Sequence, residues 1–161
     1  RWVYGVAADA LPLRVDIAFM TANVAQEFLT DEEWDRTLQA ARAALVPGGR
    51  LVFETRVPER RAWESWTREN TRQVVDVAHE GPVEDWVQVT GVDGELVSFE
   101  SPTIFHRDGV RIDSTSVLRF RPREAVEASL TAAGLVVDEV RDAPDRPGPE
   151  HVFIARRPLD A

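Results

Sequence analysis

The sequence predicts an α/β fold that carries an inserted antiparallel segment. The first observation is an apolar run, a helical pattern and a second apolar run in succession, which is the order of a parallel strand-helix-strand unit. The second is a later region of strand patterns joined by Asp-Gly pairs, which are typical of hairpins. The third is a return to a helix and strands near the end of the chain.

Composition limits the kinds of protein that the chain can be. With 161 residues, 43% hydrophobic and 29% charged, it has the size of one soluble domain with a buried core. No apolar run approaches the roughly 20 residues of a membrane span. No charged-then-apolar leader is seen, so a cytoplasmic protein without a membrane partner is expected. Because the net charge is −9, a nucleic-acid partner is not expected.

Individual residue types narrow the chemistry further. The chain has no cysteine, so it offers neither disulfides nor thiolate metal ligands. Its basic residues are 19 arginines without any lysine, which excludes a lysine Schiff base within this sequence. The sequence begins at Arg1 and its one methionine is Met20. We therefore expect it to be a piece of a longer translated product.

Three apolar runs in the first part of the chain predict strands of a parallel sheet. They contain few polar positions, as is typical of strands that are covered on both faces. The runs are Arg1–Gly5, Arg14–Met20 and Arg50–Thr55.

A helix is predicted between the second and third of these strands. Thr30 and Glu33 have the spacing of a capping box, and acidic residues fill the first turn, where the helix dipole favours them. Trp34 and Leu38 begin an apolar stripe at helical spacing, and Pro47–Gly49 are expected to end the helix.

The pattern changes after Pro58. A helix is predicted around Arg60–Arg72, followed by a three-stranded antiparallel meander over Val83–Arg121. The Asp93-Gly94 and Asp108-Gly109 pairs supply its two hairpin turns. Such an insertion is expected to cover the ends of the parallel strands as a substrate lid.

The last part of the chain predicts a return to the first sheet. Pro122 is expected to begin a helix that Gly134 ends. The strand Leu135–Val140, a loop over Asp142–Glu150 and the strand His151–Arg156 follow, and they predict an antiparallel pair at the sheet edge. The chain thus divides into residues 1–58, the inserted residues 59–121, and residues 122–161, which return to the core.

Three stretches of this order carry a family resemblance. They are "DIAFMTANVAQ", "AARAALVPGGRLVFET" and "LRFRPREAVEASLTAAGLVVDEV". Together they resemble the C-terminal two-thirds of a class I S-adenosylmethionine-dependent methyltransferase of the small-molecule type, with a β-rich cap inserted after the fifth strand. The resemblance implies a Rossmann-like methyltransferase sheet that lacks its first strands, with strands 3, 4 and 5 in residues 1–58 and a three-stranded antiparallel cap.

The resemblance also implies a site in the stretch after Met20. Met20, Thr21 and Asn23 would line the S-adenosylmethionine cofactor, and the acceptor-binding residues would be Gln26, Phe28 and Arg56. The alternative is a plain strand-to-helix connection whose polar side chains satisfy local backbone groups.

One departure from the family pattern concerns the adenine. The family has an acidic residue after its third strand, where this chain has Val6, and Asp9 lies three residues further on. Either adenine recognition uses the backbone or the site has decayed.

Other candidate residues have weaker signals. The three histidines lack metal-ligand spacing, so no metal site is predicted. His106 is the one plausible proton acceptor of the cap and a weak catalytic candidate. Arg119 and Arg121 are expected on one face of a cap strand, where they are either solvated or contact an anionic substrate.

The resemblance implies methyl transfer from S-adenosylmethionine to a small-molecule acceptor, with this chain as a truncated piece that is not competent alone. The alternative is a non-catalytic methyltransferase-like remnant or interaction module. Without its sheet neighbours, the strand Val15–Met20 would be an open edge through which the chain could form a homo-oligomer or accept a separate N-terminal segment.

Overall fold

The chain folds as two compact units in the structure, a computed structural model that describes residues 2–159. The first unit contains the residues up to Arg60 together with those from Phe120 onwards. The second unit is the stretch Arg61–Arg119 between them. Each unit has its own sheet.

The first unit is built on a four-stranded mixed sheet, whose strands are β1 (Val15–Met20), β2 (Leu45–Arg56), β8 (Val136–Ala143) and β9 (Arg146–Arg156). The strand order is β1-β2-β9-β8. β1 and β2 are parallel, whereas β9 pairs antiparallel with both β2 and β8. This confirms the predicted parallel crossover and the antiparallel pair at the sheet edge.

The crossover from β1 to β2 is the helix α1, Asp31–Ala44. The predicted capping box is present, because Thr30 Oγ1 accepts from the Glu33 N–H and the Glu33 carboxylate accepts from the Thr30 N–H, both at 3.2 Å. The hydrogen bond from the Thr30 backbone lowers the pKa of Glu33. α1 ends at Ala44, before Pro47–Gly49, and these three residues form the irregular start of β2 instead.

The core of the first unit is aromatic where α1 meets the sheet. Trp34 contacts Phe53 edge to face at 5.5 Å between ring centroids, and Phe53 stacks on Phe153 at 5.1 Å. The indole N–H of Trp34 donates to Ser129 Oγ at 2.8 Å, which joins α1 to the helix α3, Arg123–Ala132. Buried tryptophan needs such a partner for its polar nitrogen.

The second unit is a five-stranded antiparallel sheet, not the predicted three-stranded meander. Its strands are β3 (Gln73–Val77), β4 (Gly81–Asp85), β5 (Gln88–Asp93), β6 (Leu96–Phe105) and β7 (Val110–Arg119). One edge of β6 pairs with both β4 and β5, and its other edge pairs with β7, while β3 pairs with β4. The two Asp-Gly hairpins of β5, β6 and β7 are confirmed. The hairpin of β3 and β4 has no such pair, and its turn places His79 at a φ of 72° instead.

The predicted helix over Arg60–Arg72 is wrong. Arg61 has a left-handed backbone with a φ of 45°, which breaks a helix at its start. A 3-10 turn over Ala62–Ser65 follows, and then the short helix α2, Arg68–Thr71. Thr67 caps α2 by accepting from the Asn70 N–H.

Two predictions at the ends of the chain are also wrong. Residues 2–5 form no strand, and Trp2 and Tyr4 are fully exposed; no described strand pairs with this segment. The loop predicted over Asp142–Glu150 is mostly strand, because β8 and β9 meet in a tight turn. The register between β8 and β9 shifts between Asp142 and Ala143, and Pro147 and Pro149 of β9 have no pairing partner on β8. Because proline has no N–H to donate to a neighbouring strand, it fits at such an irregular position.

β1 lies at an edge of the described sheet, as predicted. Ile17 and Phe19 are 48% and 64% exposed there. Among the described residues, no helix has the length and hydropathy that crossing a membrane requires.

Candidate functional site

β1 and β2 end at the same edge of the main sheet. Met20 ends β1, and the neighbouring parallel strand β2 continues to Arg56. Ala22 and Asn23 then have left-handed backbones, with φ values of 57° and 58°, and a 3-10 turn over Val24–Glu27 follows. Because ligands of parallel sheets bind beyond the carboxyl ends of the strands, this edge is the candidate site.

Asn23 is the first buried polar side chain of the site, with 4% of its surface exposed. Its Nδ2 donates to Glu150 Oε1 at 2.9 Å. Its Oδ1 is buried and has no hydrogen-bond donor among the described residues. The second oxygen of Glu150 lies 2.9 Å from Arg146 Nη2. The amide of Asn23 is therefore held on its nitrogen side and offers its oxygen as an acceptor.

Gln26 is the second buried amide, with 1% of its surface exposed. Its Oε1 accepts from Arg56 Nη1 at 3.0 Å, and its Nε2 is buried without an acceptor among the described residues. Burial lowers the pKa of the Arg56 guanidinium, and the Glu150 carboxylate opposes this shift. Glu150 is the register partner of Arg56 on the adjacent strand β9. The two amides are thus linked to neighbouring charged residues of β2 and β9.

The other predicted site residues are less involved in this network. Met20 and Phe28 are partly buried and pack against the core, where Phe28 lies 5.7 Å from Trp34 between ring centroids. Thr21 is exposed. The structure therefore brings Asn23, Gln26 and Arg56 to the same edge of the sheet, where two separate hydrogen bonds hold the two amides.

Sequence reasoning missed Glu150 and Arg146. Both belong to the stretch that was interpreted as a loop, but in the structure they lie on β9. The sheet topology could have identified them. The last strand runs antiparallel to β2, so its first residues lie beside the last residues of β2. A carboxylate just before the apolar run His151–Arg156 should therefore lie at the ligand-binding edge.

The turn that begins at Val6, where the family has an acidic residue, is closed by a hydrogen bond within the turn. Asp9 Oδ2 accepts from the Val6 N–H at 2.9 Å, so this carboxylate is bound to the backbone of its own turn. A groove of about 770 Å³ lies between this turn and α1, and its walls include Val6, Leu11 and Phe28.

His106 belongs to an ionic cluster of the second unit. Its Nε2 lies 3.1 Å from Glu84 Oε2, and Arg72 Nε donates to the other oxygen of Glu84 at 2.7 Å. The Arg72 hydrogen bond, supported by contacts with His106 and Arg68, lowers the pKa of the buried Glu84 to about 2. The cluster joins Glu84 of β4 to Arg72, which precedes β3, and to His106, which follows β6. The catalytic role of His106 stays a prediction.

Arg119 and Arg121 differ from their predicted arrangement. Arg119 ends β7 and its Nε donates to Glu95 Oε2 at 2.8 Å. Arg121 lies beyond the strand in the first unit, where it is 6% exposed and its Nη2 donates to the carbonyl oxygen of Thr30. The two arginines do not share a solvated strand face, because the strand ends between them.

Comparison with solved structures identifies the fold. The chain is similar to the CcbJ methyltransferase from Streptomyces caelestis, with a TM-score of 0.71 and 18% identity over 98% of this chain and 63% of that chain. It is also similar to DesVI of Streptomyces venezuelae, with a TM-score of 0.72 and 20% identity over 94% of this chain and 61% of that one.

A third similar structure contains the cofactor. It is CalS10, described as an S-adenosylmethionine-bound amino pentose methyltransferase from Micromonospora echinaspora, with a TM-score of 0.66 and 20% identity. The match covers 91% of this chain and 60% of CalS10. No protein-family model matches the chain, and no curated protein matches its sequence.

The chain therefore has the α/β fold of S-adenosylmethionine-dependent methyltransferases, as the resemblance predicted. It spans about three-fifths of the length of the structures that it matches. The partial Rossmann-like sheet that was predicted corresponds to this coverage.

Proposed function

We propose that this chain is part of an S-adenosylmethionine-dependent methyltransferase that acts on a small molecule. The observation that carries the proposal is the pair of buried amides beyond β1: Asn23 and Gln26 each keep one polar atom without a partner among the described residues. A plain strand-to-helix connection would use such atoms for local backbone bonds. Buried polar atoms cost free energy unless a partner satisfies them, which suits a site that binds a polar ligand.

The residues at this edge fit S-adenosylmethionine. Asn23 Oδ1 is an acceptor and suits the amino group of the methionine part, while the short side chains of Thr21 and Ala22 leave the backbone accessible. Met20 supplies an apolar contact beside them. On the adenine side, the Asp9 carboxylate and the Val6 N–H bond each other, so a ligand would have to use other groups of this turn.

The acceptor is proposed to bind on the other side of the same edge. Gln26 Nε2 is a buried donor, and Arg56 fixes the orientation of the amide through its oxygen. Phe28, which also lines the groove beside Val6, is proposed to add an apolar surface. These residues would orient a small polar molecule, and the similar structure CalS10, described as an amino pentose methyltransferase, is consistent with that class of acceptor.

The chemistry asks little of the protein beyond alignment. S-adenosylmethionine supplies a methyl group that the sulfonium already activates. The residues of the site would bind, orient and exclude water. A general base is required only when the acceptor must lose a proton, and His106 remains the candidate for that role. A substrate-lid role for the five-stranded unit stays a prediction.

A second candidate function is an interaction module without catalysis. The exposed apolar edge of β1 favours it, because an unpaired strand edge is a template for another chain. A methyltransferase could have the same edge if a further strand paired with it. The exposed edge therefore does not distinguish the two functions, whereas binding of S-adenosylmethionine does.

Calorimetric titration of the full-length gene product with S-adenosylhomocysteine tests the proposal. We expect micromolar binding by the wild type and binding at least roughly tenfold weaker for Asn23→Ala, because one buried acceptor is lost. Asn70→Ala, which changes an exposed asparagine of the second unit, is the matched control and should bind normally. Absence of binding by the wild type would favour the interaction module.

A further inference from the structure

Glu150 has a function in the site that its place in the sequence does not suggest. We propose that Glu150 is a positioning residue that fixes the amide of Asn23 with its oxygen turned toward the ligand. The proposal rests on the proposed function, since the ligand in question is S-adenosylmethionine. It deepens that function, because it assigns the orientation of the Asn23 amide to a carboxylate that lies 127 positions later in the sequence.

The direction of the Asn23 amide follows from the chemistry of its partner. A carboxylate accepts hydrogen bonds but has none to donate, so it can bind the Nδ2 of an asparagine and repels its Oδ1. The 2.9 Å contact from Asn23 Nδ2 to Glu150 Oε1 therefore selects one of the two amide orientations. With the nitrogen held by Glu150, Oδ1 is directed elsewhere, and it is the atom that is buried without a donor among the described residues.

Glu150 is itself held in place on two sides. It is 4% exposed; its Oε1 accepts the hydrogen bond from Asn23, and its Oε2 forms an ion pair with Arg146 Nη2 at 2.9 Å that lacks hydrogen-bond geometry. Its backbone is fixed by the antiparallel ladder, in which it is paired with Arg56. A carboxylate anchored in this way is rigid enough to orient a neighbour, as preorganised sites require.

The backbone of Asn23 explains why the turn needs a distant support. Ala22 and Asn23 are consecutive residues with left-handed backbones, an arrangement that L-residues rarely adopt. Such conformations persist when the surrounding structure stabilises them. The Glu150 bond joins this turn to β9 across 127 positions of sequence, so it stabilises the turn and directs its side chain together.

The experiment compares Glu150→Gln with wild type in the full-length gene product. A glutamine has nearly the same shape but can donate as well as accept, so it permits both orientations of the Asn23 amide. We expect roughly tenfold weaker binding of S-adenosylhomocysteine by calorimetry. Glu124→Gln, on the exposed face of α3, is the matched control and should leave the affinity unchanged.

A second measurement separates positioning from a purely structural effect. In the Asn23→Ala background, Glu150→Gln should have no further effect on affinity, since there is no amide left to orient. If the two substitutions instead weaken binding independently, Glu150 does not act through Asn23 and the proposal is overturned.

A third measurement needs no ligand. The side-chain amide resonances of Asn23, assigned by their loss in Asn23→Ala, should shift in Glu150→Gln and stay in place in Glu124→Gln. Unchanged resonances would overturn the inference.

If the wild type binds and Asn23→Ala is weakened while Glu150→Gln is normal, the inference alone fails. If the wild type does not bind S-adenosylhomocysteine, the proposed function fails, and the inference fails with it.

Discussion

Arg56 donates to Gln26 Oε1 at 3.0 Å, which joins the last residue of β2 to the turn that follows β1. Asn23, in the same turn, is held separately by Glu150 of β9. The two buried amides of the candidate site therefore have different anchors. Because each anchor is a different strand, substitution of one amide should leave the other in place.

Gln26→Ala should lower methyl transfer without weakening cofactor binding. The substitution removes the donor proposed for the acceptor, and it removes an acceptor of the Arg56 guanidinium, at a cost of about 1 to 3 kcal/mol in unfolding free energy. The measurement is tritiated methyl transfer to small amines, phenols and carboxylic acids, beside calorimetric titration with S-adenosylhomocysteine. Glu124→Ala, on the exposed face of α3, is the control. Equal loss of affinity and transfer would contradict separate roles for the two amides.

Glu84 should make the stability of the protein sensitive to acid. Its pKa falls from an ordinary 4.5 to about 2 in the folded state. A carboxyl group with a lowered folded pKa contributes stability that is fully present above the unfolded pKa and lost as the pH falls toward the folded one. The unfolding free energy should therefore decline between about pH 4.5 and pH 2, and Glu84→Gln should flatten this decline. Urea unfolding at several pH values measures it, and equal slopes in both proteins would contradict the prediction.

Thr30→Ala should destabilise α1 at its first turn. The hydroxyl accepts from the Glu33 N–H, and loss of such a cap costs about 1 kcal/mol. Thr30→Ser keeps the acceptor and should retain most of the stability. Urea midpoints of the three proteins give the comparison. If the alanine and serine variants are equally unstable, the cap is not the cause.

The exposed edge of β1 should control self-association of the isolated 161-residue chain. Phe19 is 64% exposed on this strand, and a charge there opposes pairing with another strand. Light scattering should show that the wild-type chain is larger than a monomer and that Phe19→Lys reduces its mass. Val136→Lys, on the edge strand β8, is the control and should have little effect. A monomeric wild-type chain would remove the basis for this prediction.

The elements with strong local signals were predictable from the sequence. The Thr30 and Glu33 capping box fixes the start of α1, and Gly94 and Gly109 have the positive φ that their hairpin turns require. The predictions that failed depend on contacts distant in sequence. The segment before Val6 has the composition of a strand, but a strand forms where a neighbour pairs with it, and no described strand does so.

The residues of the candidate site also divide into those with a local sequence signal and those that depend on contacts distant in sequence. Asn23 and Gln26 could be predicted because they follow directly on an apolar strand. Local patterns did not reveal Glu150 and Arg146, because their proximity to Asn23 results from the antiparallel return of β9 beside β2 and becomes visible when the sheet order is considered. Periodicity describes a strand on its own, whereas this contact depends on sheet order.

Photolabelling with methyl-tritiated S-adenosylmethionine tests the central claim most directly. Trypsin should release the stretch that contains Asn23 and Gln26 as the peptide Val15–Arg36, since arginine stands at positions 14 and 36. In the full-length gene product, we predict label in this peptide, competition by excess S-adenosylhomocysteine and less label in Asn23→Ala. Label confined to the rest of this chain, such as the peptide Gln73–Arg107 of the second unit, or label that excess S-adenosylhomocysteine does not reduce, would contradict a cofactor site at the end of β1.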